Sequence, residues 1–188
     1  MRIAITGSNG QLGRALQHVL TNDDLMLVDL PEHDITDLSG ITRALDDFGP
    51  EVIIHAAAMT NVDACESDPA LAHRINVLGT RNVAVAALQN DAAMVCVSTD
   101  YVFPGRAEPY WEYDECAPLS AYGRTKWHGE LVVRDLLQRF YITRTAWLYG
   151  NSPRNFVETV LRLADERGSL TMVTDEVGSP TYALHLAR

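Results

Sequence analysis

Met1-Arg2-Ile3-Ala4-Ile5-Thr6-Gly7-Ser8-Asn9-Gly10-Gln11-Leu12-Gly13 opens the chain, and its reading decides the fold. A short apolar run ends in a turn with glycine at 7, 10 and 13, and a helical period follows over residues 11–20. In a strand-turn-helix setting one glycine permits the tight turn, another lets backbone approach a pyrophosphate, and the last lets helix pack closely on strand. The helix start then offers unpaired N–H groups and a positive dipole end to an anion. Asp29 closes the second apolar run, where an acid accepts hydrogen bonds from ribose hydroxyls and repels a 2′-phosphate, favouring NADH. Arg14, just past the last glycine, can ease such a phosphate in, so NADPH and NADH both stay open.

Outward from this turn, short runs rich in β-branched residues recur at 2–6, 25–29, 52–55, 94–98, 141–145 and 170–173. Each is nearly continuous in apolar character, as strands covered on both faces are. Helical periods lie between them near 11–20, 38–47, 69–89, 119–139 and 154–166, the third opening on Asp68-Pro69, an N-cap and a first-turn proline. Alternating β and α elements predict an α/β fold, a doubly wound parallel sheet of Rossmann type. The stretch 103–118, with three prolines, is the longest irregular one and is expected to wall or cover a site.

The composition excludes several functions. A net charge of −10 leaves no general phosphate-backbone footprint, so nucleic acid is not an expected partner. Cys65, Cys96 and Cys116 are odd in number and without Cys-x-x-Cys spacing, which indicates a reducing compartment rather than a disulfide framework or thiolate metal site. His18, His33, His55, His73, His128 and His185 show no metal-ligand spacing, and no metal is expected. No apolar run approaches membrane-spanning length, and the chain reads as cytoplasmic.

Among the 15 basic residues there is a single lysine, Lys126, and it stands four residues after Tyr122. With seven tyrosines in 188 residues, chance places that lysine there roughly 4% of the time. The two share a helix face with Gly129, Val133 and Leu137, a face that reads as buried. A buried ammonium beside a phenol favours the phenolate, so the tyrosine pKa is expected to fall toward neutrality. Ser98-Thr99-Asp100 ends the fourth strand, where ligands bind in open α/β sheets.

The glycine turn, the strand-four Ser/Thr and Tyr-x-x-x-Lys together resemble the extended short-chain dehydrogenase/reductase family. Gly10-Gln11-Leu12-Gly13, residues 56–63, 98–103, 122–126 and 144–149, and Gly178-Ser179-Pro180-Thr181 resemble its dTDP-4-dehydrorhamnose reductase branch over the whole chain. The resemblance implies reduction of the C4 ketone of a dTDP-4-dehydro-L-rhamnose, a small-molecule dTDP-sugar, by NADPH or NADH. It places Gly10, Gln11 and Leu12 at the pyrophosphate, within the cofactor-binding turn that Gly7 and Gly13 bound, Asp29 at the adenosine ribose, Asp34 and Ile35 at the adenine, and Ala57, Ala58 and Met59 along the cofactor. Thr99 and Asp100 would contact the sugar, Tyr122 would donate the proton, Lys126 would hold the nicotinamide ribose, and Trp147 would pack on the substrate. For Trp147 a plain core aromatic is an equal alternative. Met59 stands where members often carry histidine, so no polar contact is expected from that side chain.

Two other functions stay open: a nucleotide-sugar epimerase or dehydratase of the same fold, and a non-catalytic cofactor-binding subunit like the regulatory one of methionine adenosyltransferase. A homodimer is compatible with any of them. Residues 1–168 are expected to form the NAD(P)-binding domain with the catalytic residues. Residues 169–188 are expected to begin a substrate lobe in a C-terminally truncated chain, 181–188 reading as the opening turns of a helix.

Overall fold

A computed structural model describes residues 1–106, 109–151, 155–172 and 174–188. Its centre is a five-stranded sheet in the order β2-β1-β3-β4-β5, every pair parallel. The strands are β1 (Arg2–Thr6), β2 (Asp24–Val28), β3 (Val52–His55), β4 (Ala93–Thr99) and β5 (Phe140–Thr145). The chain steps outward from β1 to β2 and then back past β1 to β3, so the order reverses between β1 and β3 and opens a crevice at their carboxyl ends. This is the predicted doubly wound α/β fold.

The period-two alternation of β1 divides the core. Ile3 and Ile5 face one side, where Leu12 and Leu16 of α1 (Gln11–Val19) cover them together with Ala187, just after α8 (Ala183–Leu186). Ala4 faces the other side with Ile53 and Met94. Ile41 and Leu45 of α2 (Leu38–Phe48), Val83 and three alanines of α5 (Thr80–Gln89), and Val133 of α6 (Ala121–Leu136) pack there. Burying both faces requires the near-continuous apolar strands read from the sequence.

The helix expected over 69–89 forms in three parts: α4 (Pro69–His73), a π segment (Arg74–Gly79) and α5. Asp68 caps it, its carboxylate accepting from Leu71 N at 2.9 Å. Wider π turns often sit at functional sites, and here the turn carries Asn76 against α6, where a Cβ on Gly129 would lie 2.7 Å from the Asn76 carbonyl.

One expected strand does not form. Leu170, Thr171 and Met172 have no ladder, the latter two are exposed, and Val173 lies outside the described residues. β5 is the edge of the sheet, and among the described residues this run pairs neither with it nor with any other strand. A two-residue parallel ladder forms instead between β6 (Leu148–Tyr149) and β7 (Thr181–Tyr182). Of the helix expected over 154–166, residue 154 lies outside the described residues, and α7 runs Phe156–Arg167. Residues 107 and 108 of the expected wall also lie outside them. Among the described residues no helix is long and apolar enough to cross a membrane.

Candidate active site

At the β1/β3 reversal lies a cleft of about 1140 Å³, and every residue singled out above for cofactor, substrate or catalysis lines it except Arg14. One end is the start of α1. Its N-cap is Gly10, with no side-chain cap and no acidic residue in the first turn. Asn61, Asp68, Ser120 and Asn155, by contrast, cap other helices through their side chains. The N-terminal amides and dipole of α1 therefore face the cleft without a built-in anion. A Cβ on Gly13 would lie 2.3 Å from the Gly7 carbonyl oxygen, and one on Gly7, at φ +69°, 2.7 Å from Ala57 N. These approaches leave a backbone cradle that fits a pyrophosphate.

Asp29 accepts from Asn9 N at 2.8 Å and from Leu30 N at 2.9 Å, while Arg14 Nε donates to the Asn9 carbonyl at 3.0 Å. Acid and guanidinium thus flank the backbone of Asn9, at the end of the cleft expected to take the ribose. Asp34 accepts from Thr36 N, and the Ile35 carbonyl accepts from Asn82 at 2.9 Å, which fixes the side expected to take the adenine. Ala57 N donates to Thr6 Oγ1, and Ala58 and Met59 continue along the floor.

The other end is built where α6 meets the end of β4. Ser120 caps α6, and a Cβ on Gly123 would sit 2.2 Å from the Tyr101 carbonyl oxygen, so only glycine lets the helix come this near. Tyr122 packs with Met59 against Cys65, Ala72 and Ala121, edge-on to Tyr101 with ring centroids 5.6 Å apart. Thr99 Oγ1 donates to Asp100 at 3.1 Å. Lys126, 5% exposed, donates from Nζ to the Val97 carbonyl at 2.7 Å.

Here one expectation is corrected. Burial pushes the Tyr122 phenol up to about 12, with hydrogen bonding from Thr99 only partly opposing it. The Lys126 ammonium donates to a β4 carbonyl, and among the described residues no hydrogen bond joins it to the phenol. Burial also holds the Lys126 pKa below its ordinary value, against the pull of Cys96 and Glu130. Asp100 is raised, again by burial first.

The sequence profile described as the RmlD substrate binding domain matches residues 1–188. The chain belongs to the RmlD substrate binding domain family. A dTDP-4-dehydrorhamnose reductase of Aggregatibacter actinomycetemcomitans is 41% identical over 190 aligned residues, covering 99% of this chain and 65% of the relative. The chain thus spans less than two thirds of that protein. Crystal structures of the Clostridium acetobutylicum and Bacillus anthracis dTDP-4-dehydrorhamnose reductases, the latter in complex with NADP, are 45% and 44% identical. Both superpose with a TM-score of 0.96, cover 100% and 99% of this chain, and are themselves 68% covered.

Trp147 of this RmlD-family chain is not a core aromatic: it is 42% exposed, lines the cleft and has φ +45°. A bulky residue in the left-handed region is held there by its surroundings. Gly178 permits this, since a Cβ there would strike the indole at 2.7 Å, and Thr181 N donates to the Trp147 carbonyl.

Sequence reasoning missed a buried polar chain beneath the floor. Thr6 Oγ1 donates to His55 Nδ1 at 2.7 Å, His55 Nε2 to Thr80 Oγ1 at 2.9 Å, and Thr80 to the Asn76 carbonyl at 2.7 Å. The last donation fixes the imidazole tautomer, with its proton on Nε2. The Asn76 side chain accepts from Met59 N at 2.8 Å and donates to the Met59 carbonyl and to Thr125 Oγ1, each at 3.0 Å. Burial first, then the charge of Lys126, lowers the His55 pKa from 6.5 to about 3.

Below its ordinary value the unfolded imidazole takes a proton that the folded one refuses until about pH 3, so stability falls as pH drops through that window. Between about pH 7 and about pH 5 this histidine accounts for a loss of about 2 kcal/mol. Urea unfolding at the two pH values should give a clearly shallower dependence for His55→Gln than for the parent. Equal dependence would assign the acid loss to other groups.

Proposed function

We propose that the protein reduces the C4 ketone of dTDP-4-dehydro-L-rhamnose to the alcohol of dTDP-L-rhamnose, using NADPH or NADH. One observation carries this reading: a hydroxyl, a phenol and a buried ammonium, from Thr99, Tyr122 and Lys126, line the same cleft as the uncapped start of α1. The names of the relatives, and the NADP held by the Bacillus anthracis structure, support it.

In this reading Gly7, Gly10, Gln11, Leu12 and Gly13 hold the pyrophosphate, Asp29 the adenosine ribose, and Asp34 with Ile35 the adenine. Ala57, Ala58 and Met59 line the cofactor, while Tyr122 and Lys126 reach the nicotinamide ribose. The reduced dinucleotide, when bound, supplies a hydride. Thr99 turns its hydroxyl from Asp100 to the substrate carbonyl oxygen, and Tyr122 gives that oxygen a proton as negative charge develops on it. Asp100 and Trp147 hold the sugar. Residues 1–168 are then the dinucleotide-binding domain and 169–188 belong to the sugar side, in a cytoplasmic enzyme.

The test is oxidation of NADPH and of NADH by purified protein with dTDP-4-dehydrorhamnose. One reduced nicotinamide should be consumed per sugar reduced. Tight cofactor binding with no consumption of either would refute the reductase reading, and sugar conversion without net consumption would indicate an epimerase or dehydratase.

A further inference from the structure

Tyr122 and Lys126 leave one charged group on their helix stripe without a task. Glu130 follows Lys126 by one helical turn and is 0% exposed. Its Oε1 accepts from Ser98 Oγ at 2.5 Å and from Arg144 Nε at 3.0 Å, and its Oε2 accepts from Arg144 Nη2 at 2.7 Å. The guanidinium reaches further: Nη1 donates to the Glu112 carbonyl at 3.2 Å and Nη2 to Cys116 Sγ at 3.3 Å. It also lies 4.9 Å over the Phe103 ring, which stacks on Tyr110, and 5.9 Å from that of Trp127.

We propose that Glu130 and Arg144 form a positioning pair that fixes α6 against the end of β4 and clamps the described part of the 103–118 wall to both. This inference rests on the reductase reading for its effect on turnover. Ser98 directly precedes Thr99, so the carboxylate that orients α6 also grips the strand end bearing the carbonyl-facing hydroxyl. Arg144 leads into Thr145, Ala146 and Trp147, so the same contact reaches the sugar side of the cleft. Arg134 approaches Glu130 Oε2 at 3.7 Å as a second cation but is 44% exposed and offers only the charge.

A buried ion pair is often no more stabilising than a well-packed apolar pair of similar volume. What the fork of Arg144 adds is direction, because two parallel hydrogen bonds to one carboxylate admit one geometry. Three elements that carry reacting or enclosing groups take their relative placement from it. The pyrophosphate turn and Asp29, on other elements, do not touch the pair.

The experiment compares the parent protein with Arg144→Lys and with the double variant Glu130→Leu/Arg144→Met. It reads NADPH affinity by fluorescence titration, kcat and sugar KM, melting temperature, and amide hydrogen exchange of residues 109–118. In Arg144→Lys, kcat should fall about tenfold or more and sugar KM should rise, with NADPH affinity within about threefold. Wall amides should exchange about tenfold faster, without any sugar present. The double variant should regain the parental melting temperature but neither turnover nor wall protection. Recovery of both in the double variant would make the pair structural only and overturn the proposal. If the double variant does not fold, unchanged kcat, KM and exchange in Arg144→Lys would overturn it as well. A parent protein without turnover would refute the reductase reading, and wall exchange would still decide on the clamp.

Discussion

Tyr122→Phe is expected to lower turnover about a hundredfold or more while leaving NADPH affinity within about twofold, as loss of a general acid does. The substitution removes one oxygen and keeps the ring that packs with Met59 against Cys65, Ala72 and Ala121, so α6 should stay in place. With its pKa pushed up to about 12, the phenol is protonated throughout the neutral range and is available as an acid. A buried phenol with so high a pKa is also a reluctant one. The proton moves only when negative charge develops beside it, which is the situation at a carbonyl receiving hydride. Single-turnover kinetics with saturating sugar nucleotide, paired with an NADPH titration, separate chemistry from binding. A variant as fast as the parent would remove Tyr122 from the proton-donating role.

Gly13→Val should be the most damaging single change to the cofactor cradle. Helix propensity alone would reward replacing this glycine, by up to about 1 kcal/mol for alanine. The contacts reverse that sign: a Cβ would lie 2.3 Å from the Gly7 carbonyl oxygen and 2.6 Å from Ser8 Cα, all backbone that cannot swing aside. The turn or the helix has to shift, at a cost of about 3 kcal/mol, which for a chain of this size lowers the melting temperature by about 6–12 °C. NADPH binding should be lost together with this stability, since the displaced atoms are the proposed pyrophosphate cradle. Calorimetry and a fluorescence titration check the two effects, and undiminished NADPH affinity would show that the cradle lies elsewhere.

The parts of the fold readable in advance are those in which one segment carries its own explanation. The inner strands β1, β3 and β4 put apolar residues on both faces because core packs on both, and α1 and α6 show their buried stripe in the spacing of Leu12 and Leu16 or of Tyr122 and Lys126. Leu170 to Met172 have the same composition without a neighbouring strand, and pairing is not a property of a segment alone. α3 (Val62–Ser67) buries only Cys65 and so has no period to read.

The cleft residues were legible as a set because glycines and Tyr-x-x-x-Lys depend on local geometry. The direction of a side chain does not. Spacing brings Lys126 onto the same helix face as Tyr122 but cannot say that its ammonium turns to the Val97 carbonyl, nor that burial is the stronger influence on the phenol and raises its pKa. His55, Asn76 and Thr80 escaped for a related reason: polar residues in a strand or helix read as exposed until each finds its partner on a different element. The signal that remained was Asn76 and Thr80 at helical spacing within an otherwise apolar stretch.

With Lys126 at the bottom of the cleft, residues 1–188 offer amine-directed reagents no exposed lysine, and the Met1 α-amino group is paired with Asp23 at 2.9 Å. Acylating agents, dyes and cross-linkers would therefore react first at that amino group, beside β1 and the partly exposed carboxylate of Asp23. A second equivalent of label taken up over time would report opening of the cleft, and its suppression by a bound ligand would give an occupancy assay that needs no catalysis.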